Sequence, residues 1–161
     1  MKFVFVNGRV AVVIRYWEQR GAVVEGGARV DLRRVDQVEG PAHRAGAAGL
    51  TVGPISEGGI WRADLFVVLD DGSSCFHYHP EFFDGDVGHR FDDPDLEADP
   101  RGWIEDQLRD IVGLLERAGA GELTSSLDLD EHRRSIPLMM SAIDTCMERI
   151  GPAVASRAPA R

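Results

Sequence analysis

The chain has almost no lysine, few cysteines and no long apolar run, and each scarcity closes off a class of function. Seventeen of its 18 basic residues are arginine, and 27 acidic residues bring the formal net charge to −9. Affinity for a nucleic-acid backbone comes largely from positive charge, so this balance argues against nucleic acid as a partner. Cys75 and Cys146 are the only cysteines. They have neither CxxC spacing nor the density of a disulfide-stapled secreted domain, which implies reduced thiols and a cytoplasmic location. No apolar run nears bilayer length, and the stretch from Met1 to Gly8 is broken too soon for a signal peptide, so no membrane association is expected. Gly26-Gly27 and the small-residue stretch from Gly46 to Gly49 lack the phosphate-loop lysine and the strand-to-helix context of a dinucleotide fingerprint. There is no Gly-x-Ser-x-Gly elbow and no His-Glu-x-x-His pair.

What remains is a length of 161 residues, enough for one domain with a core of its own. A single domain is expected over residues 1–151, followed by a flexible tail at 152–161. Apolar alternation from Phe3 to Val6 and from Arg9 to Trp17 surrounds Asn7-Gly8, the pair that most readily supplies a two-residue hairpin turn. Val30 and Leu32 alternate with Arg29, Asp31 and Arg33 in a strand expected from Ala28 to Asp36. A short extended piece is expected at Leu50–Val52. Residues Ile60–Leu69 and Ser73–His79 read as a second hairpin about Asp71-Gly72. A two-residue turn there places Asp64 opposite His79, Phe66 opposite His77 and Arg62 opposite Glu81.

An irregular acidic segment then leads to Asp99-Pro100, a good helix start with an aspartate cap and proline in the first turn. Ile104, Leu108, Ile111 and Leu115 make an apolar stripe until Gly119. A second helical region is expected from Leu129 to Ile150, kinked or restarted at Pro137 with Ser135 as a cap. The expected fold class is therefore α+β: a mostly antiparallel sheet built from hairpins, with two carboxy-terminal helical segments packed on one face. Because the amino-terminal hairpin is apolar on both sides, a homodimer through exposed sheet surface or an edge is expected.

The residues most suggestive of chemistry are His77 and His79. Alternate side chains of a strand point the same way, so both imidazoles share a face with Asp64 and Arg62. Two imidazoles and a carboxylate suit a divalent metal such as zinc, iron or manganese, with His77, His79 and Asp64 as ligands. The same four residues could instead line a metal-free ligand or catalytic pocket, with Asp64 and Glu81 as candidate catalytic groups, or form a merely structural polar face. Asp84, Asp86 and His89 are further groups that the following loop can bring near. The stretch from Gly72 to Glu81 resembles the first metal motif of cupins in its His-x-His pair. Gly72, Glu81 and Gly85 stand outside that family's spacing, and its later motif is absent.

Charge is uneven. Residues 81–110 carry eleven acidic and three basic side chains, a net of −8. This segment is either a solvated face or a field that attracts cations or a basic partner. Cys75 is expected to be an inert thiol, and His43 and His132 to be surface residues. The functional reading is a small-molecule-binding protein with a metal at the His-x-His strand. The alternative is a non-catalytic protein–protein interaction protein with an acidic surface.

Overall fold

The computed structural model describes residues 1–37, 43–45, 50–52, 55–83 and 88–150. Five strands form one antiparallel sheet: β1 (Lys2–Asn7), β2 (Val10–Arg20), β3 (Val24–Gln37), β6 (Ile55–Val68) and β7 (His77–His79), in the order β1-β2-β3-β6-β7. Between β3 and β6 in sequence, β4 (His43–Ala45) and β5 (Leu50–Val52) pair as a separate antiparallel ladder. The helices follow: α1 (Pro94–Ala98), α2 (Pro100–Arg109), α3 (Ile111–Arg117), a 3₁₀ turn over Gly121–Ser126, and α4 (Leu129–Met147).

The first turn is shifted by one residue from the sequence reading. Asn7 pairs with Val10, so the central residues are Gly8-Arg9, and Gly8 takes the positive φ of 58° that the turn requires. Faces are as expected: Val10, Val12 and Ile14 point into the core with Ala28, Val30 and Leu32 of β3. A bulge on β6 sets Leu32 against Trp61 and Arg33 against Gly59. Ile60 is the extra residue, and it is buried in the core together with Trp61.

Several helices pack on the sheet where two were expected. Asp93-Pro94 repeats the start signal of Asp99-Pro100, and the Asp93 carboxylate accepts from the amides of Asp95 and Leu96 to open α1. The expected long helix is broken at Asp110, whose side chain caps α3 through the amide of Gly113. Gly119 then ends the run at φ 68°. By contrast, α4 runs through Pro137 without interruption, and its cap is Asp128. Ser135 Oγ donates instead to the Glu131 carbonyl, 3.0 Å away. Ile104, Leu108, Ile111, Leu115, Met139 and Ile143 fill the space against the sheet, each contributing about 1.5–3 kcal/mol by burial.

His132 is not a surface residue. It is 2% exposed, and its Nε2 lies 2.7 Å from the Leu108 carbonyl in the last turn of α2. Carbonyls at a helix end lack intrahelical partners, so α4 supplies one by burying this imidazole.

Candidate metal centre

The face of the sheet away from the helices carries charge, and the charge is buried. Arg29, Asp31, Arg62, Asp64, His77 and His79 are each less than 9% exposed. Strand pairing arranges them in two rows across β3, β6 and β7. Arg29 stands opposite Asp64 and Asp64 opposite His77; in the next row Asp31 stands opposite Arg62 and Arg62 opposite His79.

This pairing corrects the expected register by two residues. Val68 donates its amide to the Ser73 carbonyl (2.8 Å), and Gly72 donates back to the Val68 carbonyl (2.8 Å), which encloses a four-residue loop from Leu69 to Gly72. The physical cause is Leu69. Its side chain is fully buried and its amide donates to the Val24 carbonyl of β3, so it leaves the β6–β7 ladder. A slip of two residues preserves faces, whereas a slip of one would have reversed them. His77 and His79 therefore still share a face with Asp64, but the direct partner of Asp64 is His77.

Arg29 holds Asp64 with two hydrogen bonds, Nε to Oδ1 at 2.6 Å and Nη2 to Oδ2 at 2.9 Å. Arg62 holds Asp31 through Nε at 2.7 Å, and Arg15 and Arg33 each approach Asp31 at 3.4 Å. Aromatic rings line the guanidinium groups. Arg29 lies over Trp17 and Phe66, and Arg62 lies 4.1 Å from the Phe82 ring centre. Burial would raise the Asp64 carboxyl, but hydrogen bonds from His77 and Arg29 and the Arg29 charge outweigh it and hold Asp64 below its ordinary range. Burial pushes His79 below the ordinary imidazole value, against the attraction of Asp64. A neutral imidazole is the form that ligates metals.

His77 Nδ1 lies 2.8 Å from the Cys75 carbonyl, which can only accept, so Nδ1 carries the hydrogen. That leaves Nε2 turned toward Asp64 Oδ2 at 3.4 Å. His79 Nε2 stands 3.9 Å from the same oxygen, and ligand atoms from all three residues lie within 4.8 Å of one another. Ligands on one tetrahedral zinc are separated by about 3.3 Å, given bond lengths near 2.0–2.1 Å. The His77–Asp64 separation already matches, and the His79 imidazole would have to move closer for all three atoms to share one ion. The cluster is thus suited to a divalent metal, with backbone hydrogen bonding that fixes the tautomer of His77. His79 Nδ1 is buried with no hydrogen-bond partner among the described residues.

Other residues singled out from the sequence fall elsewhere. Arg62 belongs to the face but is committed to Asp31. Glu81 and the side chain of His89 are exposed, although the His89 backbone makes a hydrogen bond that acts on His79 against burial, while Asp84 and Asp86 lie outside the described residues, as does the side chain of His43. Cys75 is half-buried, its Sγ is 3.4 Å from the Phe66 carbonyl, and burial pushes its thiol up to about 11. Sequence reasoning missed Arg29 and Asp31 as members of the network. Their signal was the Arg29–Asp31–Arg33 alternation, which reads equally well as a solvated strand face. Among the described residues no helix is long and apolar enough to cross a membrane. Comparison with known proteins found no matching family model, no matching curated protein and no matching solved structure.

Proposed function

We propose that this protein binds a small ligand through a divalent metal held by Asp64, His77 and His79. One observation carries the reading. With Nδ1 hydrogen-bonded to Cys75, His77 can donate from Nε2 to Asp64 only as the imidazolium; in its neutral form it turns an Nε2 lone pair at a carboxylate oxygen 3.4 Å away. Two acceptors facing each other in a buried site repel, and a cation between them turns the repulsion into coordination. Three protein ligands leave a coordination position for an exogenous group, as in catalytic rather than structural zinc sites. Four arginines, at positions 15, 29, 33 and 62, surround two buried aspartates, which favours an anionic ligand in that position. In an enzymatic form the metal would polarise the ligand's oxygen or a bound water.

The two free cysteines support a reducing, cytoplasmic setting. Val4 and Val6, exposed on the edge strand β1, support a homodimer through that edge.

Elemental analysis of protein purified without a metal-affinity tag tests the metal site. Near-stoichiometric zinc, iron or manganese in the parent, and none in a folded His77→Ala/His79→Ala double variant, is the expected result. A parent that stays metal-free after incubation with all three ions refutes it, and leaves a proton as the cation between His77 and Asp64.

A further inference from the structure

The acidic segment and the aromatic residues of β6, β7 and α2 meet at a cavity on the helix-covered face, opposite the histidines. Its volume is about 460 Å³, within the range of small-molecule sites. Trp61, Tyr78 and Trp103 line it. Trp103 stacks on Trp61 with ring centres 6.0 Å apart and meets Tyr78 at 5.4 Å, so the three rings form one continuous aromatic wall. The wall is held in place: Trp103 Nε1 donates to Asp93 Oδ2 at 3.1 Å, and the other Asp93 oxygen caps α1.

The charge around this wall is negative. Among the described residues, Asp93, Asp106 and Asp110 line the cavity against a single cation, Arg117. Arg117 is drawn to one side by Asp110 (2.9 Å) and by the Gln107 side-chain oxygen (3.0 Å). Asp106 has no ion pair or side-chain hydrogen bond among the described residues, and it is exposed at the mouth. These carboxylates belong to the segment with a net charge of −8, so the field over the cavity attracts cations before any contact is made.

Aromatic faces beside a carboxylate without an ion pair, Asp106, select a particular ligand chemistry. A metal ion or a bare ammonium keeps its water and gains little from indole rings. An alkylated ammonium presents apolar methyl groups that carry spread positive charge, and it is attracted to the ring quadrupole and to the carboxylates together. We infer that this cavity binds a small alkylated ammonium ion, with Trp103 and Tyr78 receiving the alkyl groups and Asp106 the charge. The site is independent of the metal centre. Tyr78 lies between His77 and His79 in sequence, but its side chain leaves the other face of the sheet.

The test uses the full chain and three probes: choline, tetramethylammonium and 3,3-dimethylbutan-1-ol, the uncharged shape analogue of choline. Heteronuclear NMR follows the indole Nε1–H of Trp103, assigned with Trp103→Leu, and calorimetry gives affinities. The two cations should shift that resonance saturably, and the neutral analogue should bind about tenfold more weakly or worse. Trp103→Leu should abolish choline binding as read by calorimetry. Because that variant removes packing, Asp106→Asn, at an exposed position, is the second arm, with choline affinity expected to fall about threefold or more. Equal binding of the neutral analogue, no shift with choline on the order of 50 mM, or affinity unmoved by Asp106→Asn would each overturn the inference. None of these readouts depends on the state of the histidines, so failure here is separable from failure of the metal site.

Discussion

His77 and Asp64 face each other across the β6–β7 pairing at 3.4 Å, and each is already engaged on its far side, His77 by the Cys75 carbonyl and Asp64 by Arg29. That double engagement fixes both side chains before any ligand arrives. Such preorganisation lowers the cost of binding, because neither group must first be ordered. It also divides Asp64 between two cationic claims. Arg29 neutralises much of its charge, so coordination of a metal by this cluster would depend on the two imidazoles as much as on the carboxylate.

Removing the Asp64 charge should be costly and pH-dependent. Asp64→Asn leaves the buried Arg29 guanidinium without its counter-charge, a loss of about 3–5 kcal/mol at neutral pH. The Asp64 carboxyl is held below its ordinary value in the folded state. Its stabilisation is therefore fully present above the unfolded carboxyl value and is lost as pH falls through the lower folded value. Thermal melts should place the variant well below the parent at pH 7, with the gap closing in strong acid. A gap that is constant with pH would disprove the linkage.

Cys75 should be slow to react. With its thiol pushed up to about 11, only about one molecule in a thousand carries the thiolate at pH 8. Alkylation by iodoacetamide, read by mass spectrometry, should be at least about tenfold slower in the native protein than in urea. Rapid native alkylation at Cys75 would mean that burial does not control this thiol.

The contact between His132 and Leu108 should be worth more than its single hydrogen bond suggests. His132→Leu keeps an apolar body in the core but strands the Leu108 carbonyl, at a cost of about 1–3 kcal/mol. For a chain of this size, the melting temperature should drop by roughly 2–4 °C per kcal/mol. An unchanged melting temperature would show that water replaces the imidazole at the end of α2.

Dimerisation through β1 should be sensitive to charge on its exposed face. Val4 and Val6 are 48% and 61% exposed. Sedimentation velocity at high micromolar concentration should report a dimer for the parent and a monomer for Val4→Lys/Val6→Lys, since lysine on an edge strand opposes strand addition. A parent that sediments as a monomer removes the edge as an interface.

Residue alternation by itself determined the antiparallel sheet, the helix-covered face and the gathering of Asp64, His77 and His79 on the other face. These follow from local periodicity: period two in strands and the spacing of Ile104, Leu108, Ile111 and Leu115 in helices. Asp99-Pro100 likewise marked the start of α2 through capping chemistry alone. Which residue stands opposite Asp64 was decided by tertiary structure, because Leu69 gains more from the core than from continuing a tight turn. The burial of the Arg29–Asp64 and Arg62–Asp31 pairs was decided there too. An alternating Arg-x-Asp-x-Arg strand looks the same whether its polar face meets water or buried partners, and only packing fixes the dielectric around it. The same holds for His132, where a polar helix sequence concealed an imidazole that finds its partner 24 residues away.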